Sequence, residues 1–141
     1  PRAPTTTFTP APPTATPMPS YPFEVRAHER FPTTNAAIVV LIAITDKSTK
    51  AAQGGYKVVG DSSTGLHQES LPSCWNFCAP SGIAGTVKFG NTKFEPGLFI
   101  DGAWNIYVVD GSGKQVSPVV SLPYSTDKSQ WVWDFVMFSL K

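Results

Sequence analysis

Charge is scarce in this chain. Asp, Glu, Lys and Arg make up 15% of its 141 residues and nearly cancel, leaving a formal net charge of +1. The usual share is about a quarter. No block of like charges occurs, so the clustered basic face that nucleic-acid binding requires is missing. Long-range electrostatic steering has little to act on. Histidine is scarcer still, with only His28 and His67, and there are two cysteines, Cys74 and Cys78. No second Cys/His pair completes a zinc site, and neither H-E-x-x-H nor a full acidic calcium loop is present. No metal or cofactor is therefore expected. The longest apolar run, Ala36–Ile44, reaches about half the length of a membrane-spanning helix, which argues against membrane insertion. The N-x-[ST] pattern is absent at Asn35, Asn76, Asn91 and Asn105, so any glycan is expected on Thr or Ser. The chain does not begin with Met, and removal of a targeting segment, or origin as a fragment, is the expectation.

What the chain has in excess is proline, and half of its 14 prolines fall in the first twenty residues. Pro1, Pro4, Pro10, Pro12, Pro13, Pro17 and Pro19 alternate there with Thr5, Thr6, Thr7, Thr9, Thr14 and Thr16. Each proline lacks an N–H and clashes with a preceding helical turn, so no helix propagates. Residues before proline are biased to extended conformations, and the segment reads as a polyproline-II spacer reaching about 60 Å. Thr/Pro-rich stalks of this composition, often O-glycosylated on threonine, typify proteins outside a cell. The boundaries follow: 1–20 an extended linker or tail, and 21–141 one domain, long enough to bury a self-sufficient core.

The two cysteines stand as Cys74-Trp-Asn-Phe-Cys78. Three intervening residues do not fit a thioredoxin-type C-x-x-C. A local disulfide, matching an oxidising extracellular compartment, is the leading reading, and two buried free thiols are the other. Closing so small a loop stabilises by only about 2 kcal/mol, so its role is to shape one loop.

Past residue 20, short apolar runs alternate with Gly, Pro, Asn, Asp and Ser clusters. Phe23, Val25 and Ala27 alternate with Glu24, Arg26 and His28, as in a half-buried strand. Ala36–Ile44 is continuous and rich in β-branched residues, which predicts a central strand buried on both faces. Gly55–Val59 and Gly85–Phe89 are further strands. Trp104–Val109, the turn Asp110-Gly-Ser-Gly113 and Gln115–Leu122 form the clearest hairpin. In the last run, Trp131, Trp133, Phe135 and Met137 share one face, expected to be core, and Asp134 lies on the other. The pattern predicts an all-β fold: an antiparallel β-sandwich, Ig-like, of about seven or eight strands behind the extended leader.

Catalytic constellations are hard to find. His28 falls on the polar side of the first strand and is expected to face solvent, and His67 sits in a polar loop. Gly60-Asp-Ser62 lacks the second glycine of a nucleophile elbow. Gly113-Lys114 lacks the remainder of a phosphate-binding loop. Asp134, the one carboxylate inside an apolar strand, is expected to point outward or to cap backbone. The expectation is a protein that is not an enzyme. Trp75 and Phe77 are the binding candidates. Held between the cysteines, they form an aromatic platform for pyranose rings if the loop faces solvent, and an end cap for the sandwich if it folds back.

Gly55-Tyr56-Lys57-Val58, Trp104-Asn-Ile-Tyr-Val-Val-Asp-Gly-Ser-Gly113, Ser117-Pro118-Val119-Val120 and Trp131-Val-Trp-Asp-Phe135 together resemble small β-domains of secreted and surface-anchored bacterial proteins. Such immunoglobulin-like or carboxypeptidase-regulatory-like sandwiches recur behind Thr-Pro linkers. The resemblance implies a sandwich without catalytic residues. The expected function is a non-catalytic structural module of the cell surface, a subunit of a filament or stalk. Its partners would be neighbouring copies of itself or other surface proteins, without nucleic acid. The connector would be an extended segment carrying Phe8, or Tyr21, Phe23 and Val25, added as a strand to a neighbour. The alternative is a carbohydrate-binding module whose partner is a glycan.

Overall fold

The computed structural model describes residues 3–5, 9–13, 19–83 and 86–141. Among these residues ten strands follow one another: β1 (Phe23–Pro32), β2 (Ala37–Thr45), β3 (Lys57–Ser62), β4 (His67–Glu69), β5 (Ala79–Ile83), β6 (Thr86–Gly90), β7 (Thr92–Leu98), β8 (Gly102–Val109), β9 (Val120–Tyr124) and β10 (Val132–Leu140). A 3-10 turn, Lys128–Gln130, precedes β10. Among the described residues no helix is long and apolar enough to cross a membrane.

Eight strands build two four-stranded sheets, in the orders β1-β10-β2-β7 and β4-β3-β8-β9, and β5 and β6 form a separate hairpin. The expected all-β sandwich is therefore the fold. It is not wholly antiparallel, because β10 runs parallel to β2. The expected hairpin forms as β8 and β9, antiparallel from Ile106 opposite Val120 to Gly102 opposite Tyr124. Its turn is set by Asp110, whose Oδ1 accepts from the Ser112 and Lys114 N–H groups, and by Gly113 at φ +84°. Asx side chains and positive-φ glycines close such turns at low steric cost.

The main core lies between the sheets. From one side come Ile38, Val40, Ile42 and Ile44 of β2 with Val136 and Phe138 of β10, and from the other Trp104, Ile106 and Val108 of β8. Phe94 of β7 meets Trp104 edge-on, with ring centres 5.5 Å apart. Its ring rests against Gly60, where any Cβ would collide with it. A second, smaller core occupies the opposite face of the β10–β2 pair. Leu41, Ala43, Trp133 and Phe135 are buried there, with Phe31, Phe77 and Ala79 packed on them. Lys88 of β6 reaches over this cluster, 5.4 Å from the Phe135 ring centre, and pairs with Glu29 at 2.7 Å.

Burial on both faces explains why β2 and β10 read as continuous apolar runs. Trp133 and Phe135 are core residues, as expected, but of the second core, and the other face of β10 is buried as well. The Trp133–Phe135 side packs under the β5–β6 hairpin, while the Asp134–Val136–Phe138 side faces the main core. Strands β4, β5 and β7 were not expected. β4 is three polar residues at a sheet edge, and β7 carries the breakers Pro96 and Gly97, which edge strands tolerate.

Candidate functional site

β1 and β9 are outer strands of different sheets, and side chains join them along one flank of the sandwich. β1 pairs Val25 with Phe138 and Ala27 with Met137, so Arg26 is the extra residue of a β-bulge. A bulge shifts the facing of everything beyond it. Past Arg26, His28 and Arg30 turn to the side of their partners Val136 and Asp134. Asp134 is fully buried. Its Oδ1 accepts from Arg30 Nε at 2.7 Å and lies 2.8 Å from His28 Nε2. Its Oδ2 accepts from the Tyr124 hydroxyl at 2.6 Å. Arg30 Nη2 donates to the Pro123 carbonyl at 2.7 Å, and its guanidinium lies 5.0 Å from the Tyr124 ring centre.

One expectation is corrected here: Asp134 points inward, where the bulge delivers a cation to it. His28 is exposed, as expected, and is in addition bonded to that carboxylate. The carboxylate's acceptor positions are taken by its own fold, so the cluster works as a lock between the sheets. Burial, and then the Asp134 charge and hydrogen bond, raise the Tyr124 phenol far above its usual range. Partial burial opposes the charge on Arg30, yet the hydrogen bond and charge of Asp134 raise its pKa. A phenol whose folded pKa exceeds its unfolded value contributes stability that is fully present below about pH 10 and lost as pH rises through the folded value. Urea unfolding in the alkaline range should therefore show stability falling above about pH 10, with a shallower slope in Tyr124→Phe. Equal slopes would mean that this phenol does not carry the effect.

The second arrangement is the cysteine loop. Cys74 and Cys78 are joined by a disulfide, their Cα atoms 6.3 Å apart. The loop hangs from Asn91, which is fully buried between β6 and β7. Asn91 Nδ2 donates to the carbonyls of Ile44, Gln53 and Cys74 at 3.0, 3.0 and 3.1 Å. Its Oδ1 accepts from Ile44 N–H at 2.8 Å, and its carbonyl accepts from Cys74 N–H at 2.9 Å. Ser73 adds a bond from its hydroxyl to the Gln53 carbonyl at 2.8 Å.

On this support Trp75 is 73% exposed, whereas Phe77 turns inward to the second core. The two rings expected to act together are thus separated. One side of the indole lies on Gly54, where a Cβ would come within 2.6 Å of Cδ1. Only a residue without a side chain allows that approach. Beside the loop, a groove of about 480 Å³ runs between the outer strands β4 and β7. Gln68, Glu69, Leu71, Lys93, Glu95 and Cys74 line it, with Leu71 81% exposed.

The other expected residues fall elsewhere. His67 bonds Asp61 at 2.6 Å on the outer face of β3 and β4, and that bond, opposed by slight desolvation, raises its pKa. Phe23 is fully buried in the main core and Tyr21 half-buried, while Val25 is partly exposed within β1. Tyr21 precedes β1, and Phe23 and Val25 lie within it, paired on one side with β10, β1 being the outer strand of its sheet. Thr5 and Thr9 are exposed. Phe8, Thr6, Thr7, Thr14 and Thr16 lie outside the described residues. Among the described residues no cluster of three or more His, Cys, Asp or Glu side chains could hold a metal ion. No family model, curated protein or solved structure matches the chain.

Proposed function

We propose that this chain is a non-catalytic, extracellular carbohydrate-contacting module, carried on a stiff Thr/Pro spacer and touching its ligand through Trp75. The observation that carries this reading is the exposed indole, backed by Gly54 and fixed by the Cys74–Cys78 disulfide and Asn91. A large apolar ring left in water is unfavourable unless something covers it. Rigid backing lowers the entropic cost of stacking a sugar on it. The leader, O-glycosylated on Thr5, Thr6, Thr7, Thr9, Thr14 or Thr16, would hold the domain away from a cell surface or a neighbouring domain. Kinship with Ig-like or carboxypeptidase-regulatory-like sandwiches belongs to this reading too. The filament-subunit reading is the alternative, with the outer strand β1 that carries Phe23 and Val25, or the segment around Phe8, as the connector.

Affinity electrophoresis through gels containing neutral polysaccharides tests the proposal. The wild type should be retarded, and Trp75→Ala should lose at least about tenfold in affinity, equivalent to about 1.4 kcal/mol, with its melting temperature unchanged. Equal retardation of the two proteins, or none for the wild type across the panel, would refute it.

A further inference from the structure

We infer that the groove between β4 and β7 is a second sugar subsite beside the loop that carries Trp75, suited to an uncharged, hydroxyl-rich chain and not to a single terminal sugar. This inference rests on the reading of Trp75 just given and extends it. Proximity comes from the loop itself: Cys74 and Cys78 line the groove, and Trp75, whose ring lies outside the lining, follows the first of them in the chain. The volume, about 480 Å³, falls in the range that takes in drug-sized ligands, hence more than one sugar ring.

The lining decides the chemistry. Glu69 and Glu95 offer carboxylates that accept from hydroxyls, Lys93 offers an ammonium that donates, and the Gln68 amide does both. With both signs present, a polyanion meets two carboxylates and a polycation meets Lys93. A neutral polyol can pair with all four. Asn91 also lines the groove, but its side-chain amide is taken up by the Ile44, Gln53 and Cys74 backbone. Recognition therefore falls to the four side chains on the outer strands. Leu71 supplies apolar surface for the C–H face of a ring. An amphipathic lining of this kind matches the two aspects of a pyranose.

Calorimetric titration of the intact chain with cello-oligosaccharides and malto-oligosaccharides, from the dimer to the hexamer, tests this. In at least one series the wild-type affinity should rise with length, about tenfold or more over that range. Lys93→Ala and Glu95→Gln, on an outer strand, should keep the dimer affinity and lose most of the gain with length. Trp75→Ala should lose binding at every length. If the groove variants keep the full length dependence, or the wild type shows none, the subsite is wrong while the Trp75 platform stands. Unchanged binding by Trp75→Ala, or no binding in either series, overturns both. Oligogalacturonates binding as tightly as the neutral oligomers would overturn the assignment of an uncharged ligand.

Discussion

Asp134→Ala should remove about 3–5 kcal/mol of unfolding free energy, a large part of what a domain of this size possesses. The loss arises less from the missing bonds than from what is left behind. Arg30 would keep its charge beside an emptied buried position, and the Tyr124 hydroxyl would lose its acceptor. Asp134→Leu combined with Arg30→Met removes both charges together and should recover much of the loss, since a buried ion pair does little better than apolar groups of similar volume. Urea denaturation of the single and double variants measures both quantities. A single variant within about 1 kcal/mol of wild type, the range of an exposed ion pair, would mean that solvent reaches the cluster.

Asn91→Leu should be as severe, costing roughly 3–5 kcal/mol when each unsatisfied buried group costs about 1–3 kcal/mol. The change leaves the Ile44 N–H and the Cys74 carbonyl without the Asn91 side chain, while the Ile44 carbonyl keeps the Gln53 N–H and the Gln53 carbonyl keeps the Ser73 hydroxyl. Asn91→Asp should not rescue it, because a carboxylate oxygen would then face three carbonyl oxygens. The same bonds anchor the loop that presents Trp75, so ligand affinity should fall at temperatures where the variant is still folded. Denaturant unfolding together with a sugar titration below the transition reads out both effects. A variant that keeps stability and affinity would show that the disulfide alone shapes the loop.

Much of the fold was legible, for physical reasons that are visible in particular segments. Ala36–Ile44 lacks polar alternation because β2 is buried on both faces, and its shortness and the turn at Asp46-Lys47-Ser48 favour a strand over the competing helix. Asp110-Gly-Ser-Gly113 declares its turn through residues that tolerate positive φ. The facing of β10 was not legible, since alternation in a strand covered on both sides does not reveal which face meets the other sheet. The role of Asp134 was hidden further by the bulge at Arg26, a one-residue change of phase with no signature in composition. β7 was masked by Pro96-Gly97, and β4 by being short and polar.

The site divides in the same way. The Cys-x-x-x-Cys spacing marked Trp75 and Phe77 as a pair, but only packing could show that one faces out and the other in. Asn91 gave no signal beyond its failure as a glycosylation acceptor. Gly54 was one of two adjacent glycines, and its purpose becomes visible only with the indole lying on it.

The central claim is that Trp75 is a prepared contact surface. The chain has four tryptophans, and the indole N–H groups of Trp104, Trp131 and Trp133 are buried. Indole N–H resonances in a nitrogen-correlated NMR spectrum, followed as a neutral polysaccharide is added, examine it most directly. The account predicts that one indole signal moves, the signal absent from the spectrum of Trp75→Ala, while the other three stay fixed. Four unmoving signals, or movement confined to the buried rings, would contradict it.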